Sequence, residues 1–185
     1  MSTARHPVLE LVRAYRPHGT VETADLERVT ALAESSDDPW SRAMPLHLTA
    51  SALIVHPGSG KLLLRWHARQ QAWLQVGGHG DPGERDALAI ALREAAEETG
   101  LTDLAAWPDS ELRQVVIVPV PAAGREPAHE HGDLRFVLAT GTPGAIRAEN
   151  PDAPLRWLSP AQARELTSED NLREMFSRIE HLLHP

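Results

Sequence analysis

The sequence predicts an α/β fold in which a mixed sheet is sandwiched by helices, preceded by a short helical N-terminal extension. Three observations predict it. Strand-like stretches stand before, between and after one amphipathic helix, and the chain closes on a second helix with a full apolar face. Its 185 residues, 42% of them hydrophobic, suffice for one domain with a real core plus an extension, and not for two full domains. The boundary is placed after residue 45, so that 1–45 form the extension and 46–185 the domain.

Pro7 to Tyr15 reads as a short helix, opened by proline at an early position and closed by Pro17 and Gly19. Ala24 to Glu34 reads as a second, with Leu26, Val29, Leu32 and Ala33 on one face, before Ser35-Ser36-Asp37-Asp38-Pro39 breaks the chain. This part could pack on the sheet, cover a substrate pocket or build a homodimer contact. Leu46 to Val55 and Lys61 to Trp66 are strand-like and joined by the turn-rich His56-Pro57-Gly58-Ser59-Gly60, which suggests a hairpin. A short third strand, Trp73 to Val76, delivers the chain into Gly77 and Gly78, and Asp81-Pro82-Gly83 marks the turn before the central helix. Beyond Gly100, a helix stop, Leu112 to Val120 alternates and Leu134 to Thr140 is apolar, both favouring strands. Pro121 to Gly132 between them reads as a loop that contains His129-Glu130-His131. Leu155 to Leu158 is a last short strand, Ser159-Pro160-Ala161-Gln162 has the form of a capping box, and Glu169 to Leu183 is a terminal helix. Its inward residues are Leu172, Met175, Phe176, Ile179, Leu182 and Leu183.

The central helix carries the chemistry. Leu88, Ala91, Leu92 and Ala95, with Thr99 next in line, have the spacing of a core-facing stripe. Glu94, Glu97 and Glu98 fall together on the other side, with Glu94 and Glu98 one turn apart. Like charges at that spacing cost a few tenths of a kcal/mol, and carboxylates near a helix C-terminus oppose its dipole. Arg93 can pair with Glu97, but no lysine in the helix neutralises Glu94 or Glu98. A divalent cation would, and an oxygen-only carboxylate cluster suits Mg²⁺ or Mn²⁺. The alternative for such a cluster is a solvated acidic face.

The cluster stands in a longer pattern that resembles the signature of the Nudix hydrolases. That signature is Gly, five residues, Glu, seven residues, Arg-Glu, an aliphatic, any residue, Glu-Glu, any residue, Gly and an aliphatic. This chain supplies Gly78, Glu84, Arg93, Glu94, Glu97, Glu98, Gly100 and Leu101. Seven fixed identities at about one in twenty each would arise by chance on the order of once in 10⁹ starts. Two departures stand out: eight residues, Arg85 to Leu92, separate Glu84 from Arg93, and Ala95 fills a position usually taken by a bulkier aliphatic. The extra residue is expected in the loop before the helix, because the stripe from Leu88 onward is unbroken.

The resemblance implies a Nudix-like α/β/α sandwich from about Leu46 onward. It also implies attack by water on a phosphorus of a diphosphate, with Mg²⁺ held by Glu94, Glu97, Glu98 and the Gly77 carbonyl. Glu94 is the first choice for the general base, with Glu98 and Glu130 as alternatives, and Arg93 is expected to orient the carboxylates. His79, Glu130 and His131 are the expected substrate-binding residues, and Glu130 or Asp133 could serve a second cation. Glu84 would brace the helix. A Nudix-fold module that binds a nucleotide or metabolite without cleaving it is the alternative function. The related isopentenyl-diphosphate isomerases use a cysteine, and this chain has none.

Composition narrows the partners. A formal net charge of −8 argues against binding duplex nucleic acid, which needs clustered Lys and Arg, and leaves small phosphorylated substrates. The absence of cysteine excludes disulfides and thiolate metal sites and fits a reducing compartment. No apolar run reaches signal-peptide or transmembrane length, so the expected location is the cytoplasm, without membrane contact.

Overall fold

The computed structural model describes residues 7–184. Helices α1 (Pro7–Ala14) and α2 (Gly19–Ser35) come first. The second begins at Gly19, not Ala24: Gly19 takes a φ of 75°, and the Glu22 carboxylate accepts from the His18 N–H at 2.7 Å, ordering that first turn. There follow β1 (Leu46–His56), β2 (Lys61–His67), β3 (Ala72–Leu74), β4 (Val76–Gly78) and α3 (Ala87–Thr99). The chain continues with β5 (Ala105–Ala106), β6 (Gln114–Val120), β7 (His129–Ala139), β8 (Leu155–Leu158), α4 (Pro160–Leu166) and α5 (Asp170–Leu183).

All eight strands belong to one sheet, ordered β3-β2-β1-β7-β5, with β4 also pairing β1, β6 pairing β7 and β8 pairing β2. The central pair is parallel, running from Leu46 opposite Glu130 to Val55 opposite Ala139, and the other pairings are antiparallel. The sheet is therefore mixed, as predicted.

Two stretches differ from the sequence reading. The single strand expected over Trp73 to Val76 is two, because the chain leaves β2 after Leu74 and joins β1 at Val76. His129-Glu130-His131 is not in a loop. It opens β7, where the parallel partner β1 satisfies the backbone of even polar residues from Leu46 onward.

The sheet buries both faces. Leu48, Ala50, Ala52 and Ile54 of β1 cluster with Ile90, Ala91 and Ala95 of α3 and with Val8, Val12 and Val29 of the extension. The alternate residues Leu53 and Val55 cluster with Leu62 and Leu64 and with Leu172, Met175, Phe176 and Ile179 of α5. Each large side chain fully buried in this way contributes about 2 kcal/mol. On α3 the buried stripe is Ala87, Ile90, Ala91, Ala95 and Thr99, while Leu88 and Leu92, predicted to face inward, are only partly covered. Small residues on that face let α3 lie close to β1. Of the roles open to the extension, packing is the one observed: it shares the core of the domain. The capping box at Ser159 forms as predicted, with Ser159 Oγ accepting from the Gln162 N–H and Gln162 Oε1 from the Ser159 N–H. Among the described residues no helix is long and apolar enough to cross a membrane.

Candidate active site

Helix α3 is set by its two ends. Asp86 caps it, accepting from the Leu88 and Ala89 N–H groups at 3.0 and 3.1 Å, which stabilises by about 1 kcal/mol. Gly100 ends it with a φ of 68°, the left-handed conformation of a helix C-cap. The helix is regular between them, so the residue inserted between Glu84 and Arg93 lies in the loop before Asp86.

Arg93 is the hub of the outer face. Its Nη1 donates to Glu94 Oε1 at 2.9 Å and to Glu97 Oε2 at 3.0 Å. Nη2 donates to Glu84 at 3.0 Å and to the His79 carbonyl at 2.9 Å, and Nε also reaches Glu84. Glu84 in turn accepts from the Asp81 N–H at 2.8 Å. The loop from Asp81 to Glu84 is thereby tied to the helix, and one guanidinium orients three carboxylates. Neither Arg93 nor Glu84 stands apart from this network: each makes several of its bonds.

Glu98 lies deeper, one turn on. Its Oε1 sits 3.2 Å from Arg65 Nη1, and its Oε2 accepts from the Gly77 N–H at 3.2 Å. Glycine is required where the backbone meets these groups. Gly77 has a φ of 146°, and a Cβ there would stand 2.3 Å from the Cβ of Ser51. A Cβ on Gly78 would stand 2.7 Å from the carboxyl carbon of Glu94. The chain from β4 therefore passes directly against both glutamates.

Burial pushes the Glu98 carboxyl up to about 7, with Glu94 and Glu149 adding repulsion against the pull of Arg65 and the Gly77 N–H. Burial also raises Glu94, reinforced by Glu97 and Asp81 and opposed by Arg93. Two half-buried carboxylates whose charged forms are disfavoured, with backbone alongside, make an all-oxygen donor set that fits a hard divalent cation. Glu97 is more open, its side chain 55% exposed.

The other expected residues divide. His79 and His131 come together, with ring centroids 4.8 Å apart, and His79 joins the carboxylates through its carbonyl. Glu130 is drawn away: Arg28 of α2 pairs with it at 2.6 Å. Asp133 is buried and accepts from Thr49, Ser51, Gln75 and Arg135, so its oxygens are committed to the sheet. Sequence reasoning missed Arg65, whose signal was a cation directly following three leucines in β2.

A family model of the NUDIX domain matches residues 45–179. Solved structures with similar folds include an Ap4A hydrolase of C. elegans in a binary complex, 19% identical, with a TM-score of 0.59 over 74% of this chain and 96% of that one. A NUDIX-family hydrolase from Clostridium perfringens is 20% identical, with a TM-score of 0.56 over 75% and 98% of the two chains. The dihydroneopterin triphosphate pyrophosphohydrolase of E. coli is 18% identical, with a TM-score of 0.55 over 73% and 94%. At such identities the likeness is one of fold. No curated protein sequence matches the chain.

Proposed function

The chain belongs to the Nudix family and is a pyrophosphohydrolase acting on phosphorus anhydrides; from that premise we propose that it cleaves the diphosphate linkage of a nucleoside diphosphate derivative or a similar small metabolite, with Mg²⁺ or Mn²⁺ as cofactor. The observation that carries this reading is the pair Glu94 and Glu98, pressed against Gly77 and Gly78 and raised in pKa by burial. Glu94, Glu97, Glu98 and the Gly77 carbonyl would hold the cation. When bound, it supplies positive charge to the diphosphate oxygens and lowers the pKa of a coordinated water.

The chain's own groups have distinct tasks. Glu94 accepts the proton of the attacking water as the new P–O bond forms and the anhydride P–O bond breaks, the leaving phosphate departing with its electron pair. Both oxygens of Glu98 already have partners in Arg65 and the Gly77 N–H, whereas Arg93 holds Glu94 through Oε1. That difference favours Glu94 as the base. The pairing of Glu130 with Arg28 argues against it for either base or substrate contact. Arg93, with its five donors spread over three glutamates and the His79 carbonyl, holds the geometry. His79 and His131 form the adjoining wall on the substrate side.

The acidic, cysteine-free composition supports a cytoplasmic enzyme acting on a small molecule. The test is phosphate or nucleotide release from a panel of nucleotide sugars, ADP-ribose, dinucleoside polyphosphates, nucleoside triphosphates and non-nucleotide diphosphates, with Mg²⁺ or Mn²⁺, beside Glu98→Gln. Turnover of one compound that falls by about 10²–10³-fold in the variant is expected, the scale of losing one preorganised electrostatic group. Unchanged turnover in Glu98→Gln would refute the metal assignment, and tight binding without turnover would favour the non-catalytic module.

A further inference from the structure

Beyond the carboxylate site, we infer that His47, His79 and His131 form a second metal centre, a three-imidazole site for a borderline transition-metal dication such as Zn²⁺.

The topology gathers them. His47 stands opposite His131 in the parallel register of β1 and β7. On the other side of β1, the pairing of Ala50 with Gly78 in β4 carries His79 alongside. Three adjacent chain segments thus each place one imidazole at a single point of the sheet. Each ring offers one nitrogen, and the three nitrogens lie within 4.8 Å of one another, with His47 Nε2 and His79 Nε2 3.0 Å apart. Ligand nitrogens around a tetrahedral zinc at about 2.0–2.1 Å are separated by roughly 3.3 Å. Small rotations of the rings suffice.

The surroundings orient the rings as metal ligands are oriented. His47 Nδ1 is 3.0 Å from the Met44 carbonyl, which can only accept, so the proton sits on Nδ1 and the Nε2 lone pair faces the cluster. A fourth ring repeats the arrangement at the rim: His129 Nδ1 donates to the Pro127 carbonyl at 2.9 Å, and its Nε2 faces His131 Nε2 at 3.1 Å. The inward lone pairs of His47 and His129, each with its tautomer fixed by a backbone carbonyl, are what a cation would engage.

Neutral imidazole is the form that ligates. Burial and the rings of His47 and His129 hold His131 at about 4 against the opposing pull of Asp133 and Glu126. Neutral nitrogen donors suit Zn²⁺ and its transition-metal neighbours and not Mg²⁺, which selects the carboxylates instead. Three protein ligands leave a fourth position open, as in catalytic zinc sites.

The test uses the full-length protein, freed of metal with a chelator and titrated with Zn²⁺ against a chromophoric competitor in excess Mg²⁺. One equivalent is expected to bind with a Kd at or below about 1 μM. His79→Asn and His131→Asn should each weaken it by at least about 100-fold, exceeding the loss typical of a group outside the ligand set. The double variant Glu94→Gln/Glu98→Gln should retain it, so loss of hydrolysis and loss of this site are separable. X-ray absorption of the zinc-loaded wild-type protein should show three imidazoles, a readout that does not depend on whether the histidine variants fold. Absence of stoichiometric binding, an oxygen-dominated shell, or affinity lost in the glutamate variant and kept in the histidine variants would overturn the inference.

Discussion

Glu22→Ala tests whether the extension is latched to the domain by one buried carboxylate. Glu22 is 6% exposed and accepts from Arg178 at 2.9 Å, Tyr15 OH at 2.5 Å, and the N–H groups of His18 and Val115 at 2.7 and 3.0 Å. It joins the link after α1, α2, β6 and α5 at one point. Removing the carboxylate leaves the Val115 N–H without its acceptor, at about 1–3 kcal/mol, and breaks a buried ion pair, a change that typically costs about 3–5 kcal/mol. These are overlapping descriptions of one loss, and Arg178 keeps Glu174 and the Arg113 carbonyl, so about 3 kcal/mol is expected. At a urea slope of about 2 kcal/mol per M, the unfolding midpoint should fall by about 1.5 M.

The pH dependence has a definite sign. Burial alone would raise the Glu22 carboxyl, but Arg178, Tyr15 and the two backbone donors together hold it below its ordinary value. A depressed carboxylate contributes stability that is fully present above its unfolded pKa, about 4.3, and is lost as the pH falls through the lower folded value. The gap between wild-type and variant midpoints should therefore be constant near neutrality and narrow only below about pH 4. A gap under about 0.5 M at pH 7, or one that widens in acid, would refute the latch.

The remaining predictions concern the site. Gly78→Ala puts a methyl group 2.7 Å from the Glu94 carboxyl carbon, so turnover should fall by at least about tenfold. Circular dichroism should show the fold retained, and full activity would mean that Glu94 moves without consequence. Asp86→Ala removes the cap of α3 and should cost about 1 kcal/mol in chemical denaturation; a loss below about 0.3 kcal/mol would show the cap to be idle. Glu84→Gln loosens the fork on Arg93 and should lower kcat more than it raises KM, because it disturbs carboxylate geometry and leaves substrate contacts in place. Equal changes in both constants would argue that Glu84 touches substrate.

The carboxylate cluster was readable in the sequence because it is local. Gly78, Glu84, Arg93, Glu94, Glu97 and Glu98 lie within a single loop and helix, and helical spacing alone brings Arg93 to Glu97 and Glu94 to Glu98. The capping box at Ser159 and the apolar face of α5 were legible for the same reason. Helix direction on α3 was read less well, since alanine patterns carry little hydrophobic contrast and Ile90, not Leu88, proves to be buried.

Contacts between distant segments left no such trace. Arg65 reaches Glu98 only because β2 and α3 meet through the sheet, and Glu130 is claimed by Arg28 of an extension that belongs to the same core. The polar run His129-Glu130-His131 looks like a loop until β6 on one side and, from Glu130, a parallel neighbour more than eighty positions away on the other take up its place in the sheet. By itself the sequence determined the central helix and the spacing of the carboxylates along it, because a helix fixes its neighbours at three and four residues. Which arginine restrains which carboxylate, and that four histidines from three segments converge, was decided only by the tertiary structure, because sheet pairing joins residues by register across the fold and not by their spacing along the chain.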